Sequence, residues 1–233
     1  MNYSSLSSGR LLRRYKRFLA DILLDDGREV IAHCANTGAM TGLVQEGARV
    51  WLSFHDNPKR KLAWSWELVE VITPSGPALA SVNTARTNTL VQDALLSGTL
   101  INGISLCTPE VKVNDARLDF KVVDHLDRTT WIEVKQVTLL ERDGIGAFPD
   151  AVSTRALRHV HVLEERVAAG DCAMLLFCAT HTGITAVRPA AEIHPAYAQA
   201  VVAAAERGVQ VCAYSCHIDP QSMTLTHALP VML

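Results

Sequence analysis

The chain has 233 residues, a formal net charge of -2 and 48% apolar residues, which is enough to bury one large core or two modest ones. That balance excludes a protein coated in positive charge, and no apolar run approaches the length of a membrane span. The opening Met1-Asn2-Tyr3-Ser4-Ser5 has no apolar stretch, and the six cysteines form no Cys-x-x-Cys pair, so the expectation is a cytoplasmic chain with reduced thiols and no membrane partner.

Charge is unevenly placed. Residues 1–80 carry ten Lys and Arg against eight Asp and Glu, while the remainder carries twelve against sixteen. The basic groups cluster at Arg13, Arg14, Lys16 and Arg17 and at Lys59, Arg60 and Lys61, near Tyr15, Phe18, Trp64 and Trp66. Cations beside aromatic faces suit a nucleic-acid groove, because one neutralises phosphate and the other stacks on bases. From Phe18 onward, short strands are expected over residues 18–24, 28–34, 49–54 and 62–72, with Asp26-Gly27 as a hairpin turn. Several short strands with little helix predict a small OB-like barrel over residues 1–81, with Trp51 in its core. The segment Thr73-Pro74-Ser75-Gly76-Pro77 reads as the linker to a second domain, residues 82–233.

In that second domain, an amphipathic helix is expected from Asn88 to Ser97, followed by a short strand around Glu110–Val113. Next, Leu118–Val123 and Trp131–Val137 alternate with period two and flank the turn Asp124–Arg128, which predicts an antiparallel hairpin. The midpoint of 119 and 133 falls inside the turn, so Asp119 and Glu133 become cross-strand neighbours, and Lys135 shares their face. Two carboxylates and an ammonium on one sheet face can hold a hard divalent cation and leave a cation for phosphate or water. Gly144-x-Gly146 is not a dinucleotide fingerprint, since Pro149 stands where the third glycine belongs. A helix follows over about residues 150–169, with Arg155 and His159 one turn apart. A buried strand is then expected over Cys172–Ala179, a helix over Pro195–Arg207 and a strand over Val209–Tyr214. Cys212 and Cys216 lie about 13 Å apart on such a strand, too far to share an ion.

The order helix, three strands, helix, strand around Asp119 and Glu133 resembles the restriction-endonuclease-like core with its PD-(D/E)XK signature. More broadly, the chain resembles the sugar fermentation stimulation protein A (SfsA) family in Arg14-Tyr15-Lys16-Arg17-Phe18-Leu19-Ala20-Asp21, Asn36-Thr37-Gly38-x-Met40-Thr41-Gly42, Val82-Asn83-Thr84 with Asn88, Arg117-Leu118-Asp119-Phe120, Ile132-Glu133-Val134-Lys135 and Phe148-Pro149-Asp150-Ala151-Val152. The resemblance implies an α/β (α+β) chain, with an N-terminal OB-like β-barrel and a C-terminal αβββαβ nuclease-fold domain that binds DNA with little sequence preference. It carries the nuclease-like set onto Asp119, Glu133 and Lys135, with Glu110 as an upstream glutamate, and raises Arg155 and His159 to DNA contacts. One departure is Thr154, where the family has glutamate, which removes a carboxylate near the site. Family descriptions place a helix-turn-helix at about residues 200–219, but Val209–Tyr214 alternates as a strand does.

Two functions follow as expectations. In one, the chain is a DNA-binding protein with a Mg2+ (or Mn2+) phosphodiesterase site: Asp119 and Glu133 ligate the metal with the Val134 carbonyl, Glu110 is an outer or second ligand, and Lys135 orients water or stabilises the phosphorane. In the other it is a non-catalytic DNA-binding regulator of sugar (maltose) metabolism that keeps the nuclease fold. Single- or double-stranded DNA and a homodimeric state are both left open.

Overall fold

The structure is a computed structural model and describes residues 1–233. Six strands form the first sheet: β1 (Leu6–Tyr15), β2 (Leu19–Leu24), β3 (Glu29–His33), β4 (Arg49–Phe54), β5 (Trp64–Thr73) and β6 (Gly76–Ser81). Their order is β3-β2-β1-β4-β5-β6, and a pairing of β3 with β5 closes the sheet into an OB-type barrel. Inward residues such as Leu11, Ile22, Leu52 and Trp66 fill it.

Two sequence expectations change here. The basic run from Arg10 is strand β1, with a bulge between Leu11 and Arg13. Its apolar residues are few, and Leu11 alone carries the inward signal at 0% exposure. The expected linker at Thr73–Pro77 is instead a tight turn, Thr73 pairing with Gly76, and the chain returns along β5 as β6. Gly76 takes φ +114 there, which a side chain would resist.

The second unit runs α1 (Thr84–Leu96), β7 (Ile104–Val113), β8 (Ala116–Asp124), β9 (Thr129–Val137), β10 (Leu139–Leu140), β11 (Ile145–Phe148), α2 (Thr154–Ala168), β12 (Cys172–Ala179), β13 (Ala186–Pro189), α3 (Pro195–Glu206), β14 (Gln210–Ile218) and β15 (Met223–Leu229). The large sheet has the order β15-β14-β12-β9-β8-β7, with β12 parallel to both β9 and β14. This is the αβββαβ core with two added strands, and β10, β11 and β13 form a small side sheet. Helices α2 and α3 cover one face. On the other face α1 packs beside Trp51 and Leu68 of the barrel, so the two sheets share apolar core. Asn83 caps α1 by accepting the Ala85 N–H at 3.2 Å, and Ser153 caps α2 by accepting from Ala156 at 3.1 Å. That cap starts α2 at Thr154, four residues later than composition suggested.

Three ties hold the units together. Glu67 on β5 is wholly buried and takes both Arg86 nitrogens of α1 at 2.8 and 3.0 Å, with Ser53 and Asn83 as further donors. The Ser81 N–H donates to Thr180 O at 2.9 Å. At the chain start, Asn2 bridges to Ser222 and the Met1 ammonium lies 3.2 Å from Asp93, so the first residues lie on the second sheet. No helix is long and apolar enough to cross a membrane.

Candidate functional site

The hairpin has the expected register. Phe120 pairs with Ile132 and Lys121 with Trp131, so one step further along the ladder Asp119 faces Glu133. Beyond Phe120 the two strands splay, because Asp119 Oδ2 accepts the Val134 N–H at 2.8 Å in place of a backbone carbonyl. On the other side, Pro109 pairs with Phe120 and Val111 with Leu118, which sets Glu110 opposite Asp119. Glu110 sits at φ +56, an uncommon conformation for a side-chain-bearing residue. Adjacent strands therefore line up Glu110, Asp119 and Glu133 in one row. The sequence spacing found the second and third; the first was named only by the family resemblance, and sheet order gives its position opposite Asp119.

Glu133 is 3% exposed, and its Oε1 meets both Lys135 Nζ and His159 Nδ1. Its other oxygen, Oε2, is buried with no partner in the protein. Burial pushes the Glu133 carboxyl up, but the Lys135 ammonium and His159 outweigh it and leave the group below its ordinary range. Asp119 goes the other way: burial, then the Glu133 charge, push it up to about 6, against the Val134 N–H and the Asn88 amide. Asn88 of α1 donates to Asp119 Oδ1 at 2.8 Å and lies 3.5 Å from Glu110 Oε1. Glu110 is otherwise engaged by Arg117 at 2.7 Å.

No group of three or more His, Cys, Asp or Glu side chains is set to hold a metal. The donors at hand are two carboxylates, which is the number a hydrated Mg2+ commonly takes from protein, water and substrate phosphate supplying the rest. The partnerless Glu133 oxygen and the raised Asp119 carboxyl are what a cation placed between them would relieve.

The residues singled out for DNA fall into different settings. Arg13 is exposed and pairs with Asp21 at 2.7 Å. Lys16 and Arg17 occupy the exposed β1–β2 turn, with φ of 48 and 65. Arg14 is committed to structure instead: its guanidinium donates to the carbonyls of Arg17, Asn36 and Gly38 at 3.0 to 3.1 Å. Trp66 is wholly buried, with its indole N–H on Leu68 O at 2.9 Å, and is unavailable for stacking. Trp64 is half-buried against Phe54, ring centroids 5.0 Å apart. Lys59, Arg60 and Lys61 are exposed. A groove brings Arg60 and Lys61 beside Phe18 and His33, a grouping the sequence did not reveal. His159 is 4% exposed and belongs to the Glu133 cluster, not to a surface; it shares the buried helical face of Ala156, Val160 and Leu163, a spacing legible beforehand. Arg155 is exposed. Val211 pairs with Leu175 in the large sheet, so the strand reading of residues 209–214 stands where a recognition helix was described.

An OB-type barrel joined to a restriction-endonuclease-like αβββαβ unit, with a row of carboxylates across three strands, defines a two-part protein of nuclease fold. A model described as "SfsA N-terminal OB domain" matches residues 12–74, and one described as "Sugar fermentation stimulation protein RE domain" matches residues 85–222. The chain belongs to the sugar fermentation stimulation protein (SfsA) family. A sugar fermentation stimulation protein homolog of Chromohalobacter salexigens is 50% identical, covering 100% of this chain and 95% of the relative. One of a Marinomonas species is 46% identical, covering 98% and 88%. The structure of Pyrococcus furiosus SfsA in complex with Ca2+ superposes with a TM-score of 0.89 at 21% identity, over 100% of this chain and 98% of that one, which establishes the fold.

Proposed function

We propose that the chain binds DNA with little sequence preference and hydrolyses its phosphodiester bonds with Mg2+ or Mn2+. The observation that supports this reading is that Asp119, one step past the Phe120–Ile132 pair, lies across from a Glu133 carboxyl that keeps one buried oxygen unpartnered beside Lys135 and His159. Residues 1–81 would serve as the binding module and residues 82–233 as the catalytic one. Asp119 and Glu133 would hold the metal, which would supply charge neutralisation at the phosphate and acidify water. Asn88 and the Val134 N–H keep Asp119 fixed, and His159 orients Glu133. Lys135 stands ready to move from Glu133 to a substrate oxygen. Glu110, now paired with Arg117, would serve as an outer ligand.

The alternative, a DNA-binding regulator without catalysis, draws support from the same closed contacts, since Arg117 and Lys135 each occupy a carboxylate. One experiment separates them: single-stranded, duplex and branched DNA incubated with Mg2+ or Mn2+, comparing the wild-type chain with Asp119→Ala. Cleavage that disappears with Asp119 supports the enzyme. No cleavage of any substrate, or equal cleavage by both chains, sinks it.

A further inference from the structure

The β1–β2 turn and the β4–β5 loop flank an open groove of about 470 Å3, lined by Phe18, Leu19, His33, Arg60, Lys61 and Leu62. Its floor crosses the seam where the barrel closes: Leu19 of β2 pairs with His33 of β3, and His33 with Ser65 of β5. Ala20 and Ala32, next along the two strands, point into the core, so Leu19 and His33 face outward.

Both walls are fixed by hydrogen bonds. Arg17 O accepts from Arg14 Nε at 3.1 Å and Phe18 O accepts the Cys34 N–H at 2.9 Å, which holds the turn that carries the Phe18 ring. In the loop, the His55 N–H donates to Ala63 O at 2.8 Å, Asn57 Oδ1 accepts the Lys59 N–H at 3.0 Å, and Arg60 donates to Ser65 Oγ at 2.9 Å.

The lining joins an apolar surface to positive charge. Phe18, Leu19 and Leu62 supply the first, Arg60 and Lys61 the second, and no carboxylate lines the groove. Lys16, Arg17 and Lys59 adjoin it in sequence, and Asp56 is the single acid between His55 and Ala63. The ion pairs that involve the barrel are Arg13–Asp21, Arg28–Asp26 and Arg86–Glu67, so these five cations have no carboxylate partner. Of the two exposed phenylalanines, Phe54 packs on Trp64, whose ring also has the Arg28 guanidinium 5.8 Å from its centroid. Phe18 is 47% exposed and lines the groove instead.

An exposed ring among unpaired cations is complementary to a polyanion that also presents flat apolar faces. A single nucleic-acid strand does so; in a duplex the base faces cover one another and only their edges reach the grooves. Cations alone would serve both forms. We infer that this groove is a single-strand site, in which a base of unpaired DNA stacks on Phe18 while Arg60, Lys61 and the turn cations Lys16 and Arg17 hold the flanking phosphates. The inference rests on the DNA-binding half of the reading above and specifies its form: unpaired strand in preference to duplex at the barrel.

The test is binding in EDTA, so that cleavage plays no part, with three probes: a mixed-sequence single strand, an abasic sugar–phosphate strand of the same length, and the duplex. The wild-type chain should bind the single strand about tenfold more tightly than the abasic strand, the effect of one stacked base. Phe18→Leu keeps an apolar side chain without the ring. It should remove that tenfold while leaving the abasic and duplex affinities and every salt slope as they were, and Phe18→Trp should retain it. Lys61→Ala should do the opposite, lowering the slope by about 0.7 on both single strands with the ratio kept. Equal wild-type affinity for the base-bearing and abasic strands overturns the inference and leaves DNA binding in place. So does a Phe18→Leu chain that melts like wild type and either keeps the tenfold ratio or loses affinity for all three probes equally. Binding to phosphatidylserine vesicles that needs Phe18, with no effect of Phe18 on any DNA, overturns it in favour of a membrane surface. No binding of any probe removes the inference and the DNA-binding reading together.

Discussion

Gly38 and Asp150 touch so closely that a methyl group has no room: a Cβ on Gly38 would lie 2.6 Å from Asp150 Oδ2. The contact joins a barrel loop to the segment just before α2, where Asp150 also accepts the Met40 N–H. Gly38→Ala should push the Asp150 carboxylate aside, losing that hydrogen bond and disturbing the Asn36 bond to the Gly38 N–H. At about 1 kcal/mol per bond, the loss should be roughly 1 to 2 kcal/mol. Urea unfolding should show a lower midpoint; an unchanged midpoint would mean that the loop is not anchored by Asp150.

Metal binding has its own signature. Mg2+ or Mn2+ at about a hundred times its dissociation constant should stabilise the fold by about 2.7 kcal/mol. Glu133→Gln removes the charge while keeping a side chain able to meet His159, and should abolish the metal-dependent rise in Tm. A rise that survives in that variant places the ion elsewhere.

Acid should weaken the junction through Glu67. Its carboxyl is pushed up by burial, but Arg86, Ser53 and Asn83 pull it below its ordinary 4.5. Because the folded value is the lower one, this contribution is fully present above about 4.5 and is lost as pH falls through the folded value. Glu67→Gln should cost about 3 kcal/mol at neutral pH, the lower end for breaking a buried pair, since the Arg86 side chain is 30% exposed and stays partly hydrated. It should also flatten the dependence of Tm on pH below 4.5. A variant that loses stability between pH 5 and 3 as steeply as wild type would assign the acid response to other carboxylates.

On the barrel surface, electrostatics and structure separate by residue. Removing Lys16, Arg17, Lys59 or Lys61 should lower the slope of log affinity against log salt by about 0.9 each on duplex DNA, or about 0.7 on a single strand, with folding intact. Arg14→Ala should instead destabilise the chain, because it frees three carbonyls that the guanidinium holds. If Arg14→Ala melts like wild type and only the salt slope drops, its place is on DNA.

Val211 lies on β14, between β12 and β15. Proline there removes a ladder donor, and Val211→Pro should unfold the domain or destabilise it by at least about 1 to 3 kcal/mol, the cost of leaving a buried backbone partner unsatisfied. A well-folded variant lacking only DNA affinity would restore a recognition-helix role for this segment.

Sequence alone determined the local facts. Period-two alternation fixed the β8–β9 hairpin, and two numbers summing about its turn fixed the facing of Asp119 and Glu133, because antiparallel register is arithmetic once the turn is known. Alternation likewise made Val209–Tyr214 a strand, and the Asp26-Gly27 turn followed from positive φ at glycine. The tertiary structure decided what depends on neighbours distant in the chain. Whether Trp66 stacks on bases or fills a core depends on which side of β5 the barrel closes, and it fills the core. Arg14 and Arg17 read alike in sequence, yet one is consumed by loop carbonyls and the other stands in solvent. Thr73–Pro77 has a linker's composition, but a hairpin turn needs the same residues, and only the partner strand tells them apart. Glu110 was named by the family resemblance, but its place opposite Asp119 comes from sheet order, and the barrel loop meets Asp150 only in the packed chain. Charge, polarity and turn chemistry are local properties; burial and partnership belong to the packed chain.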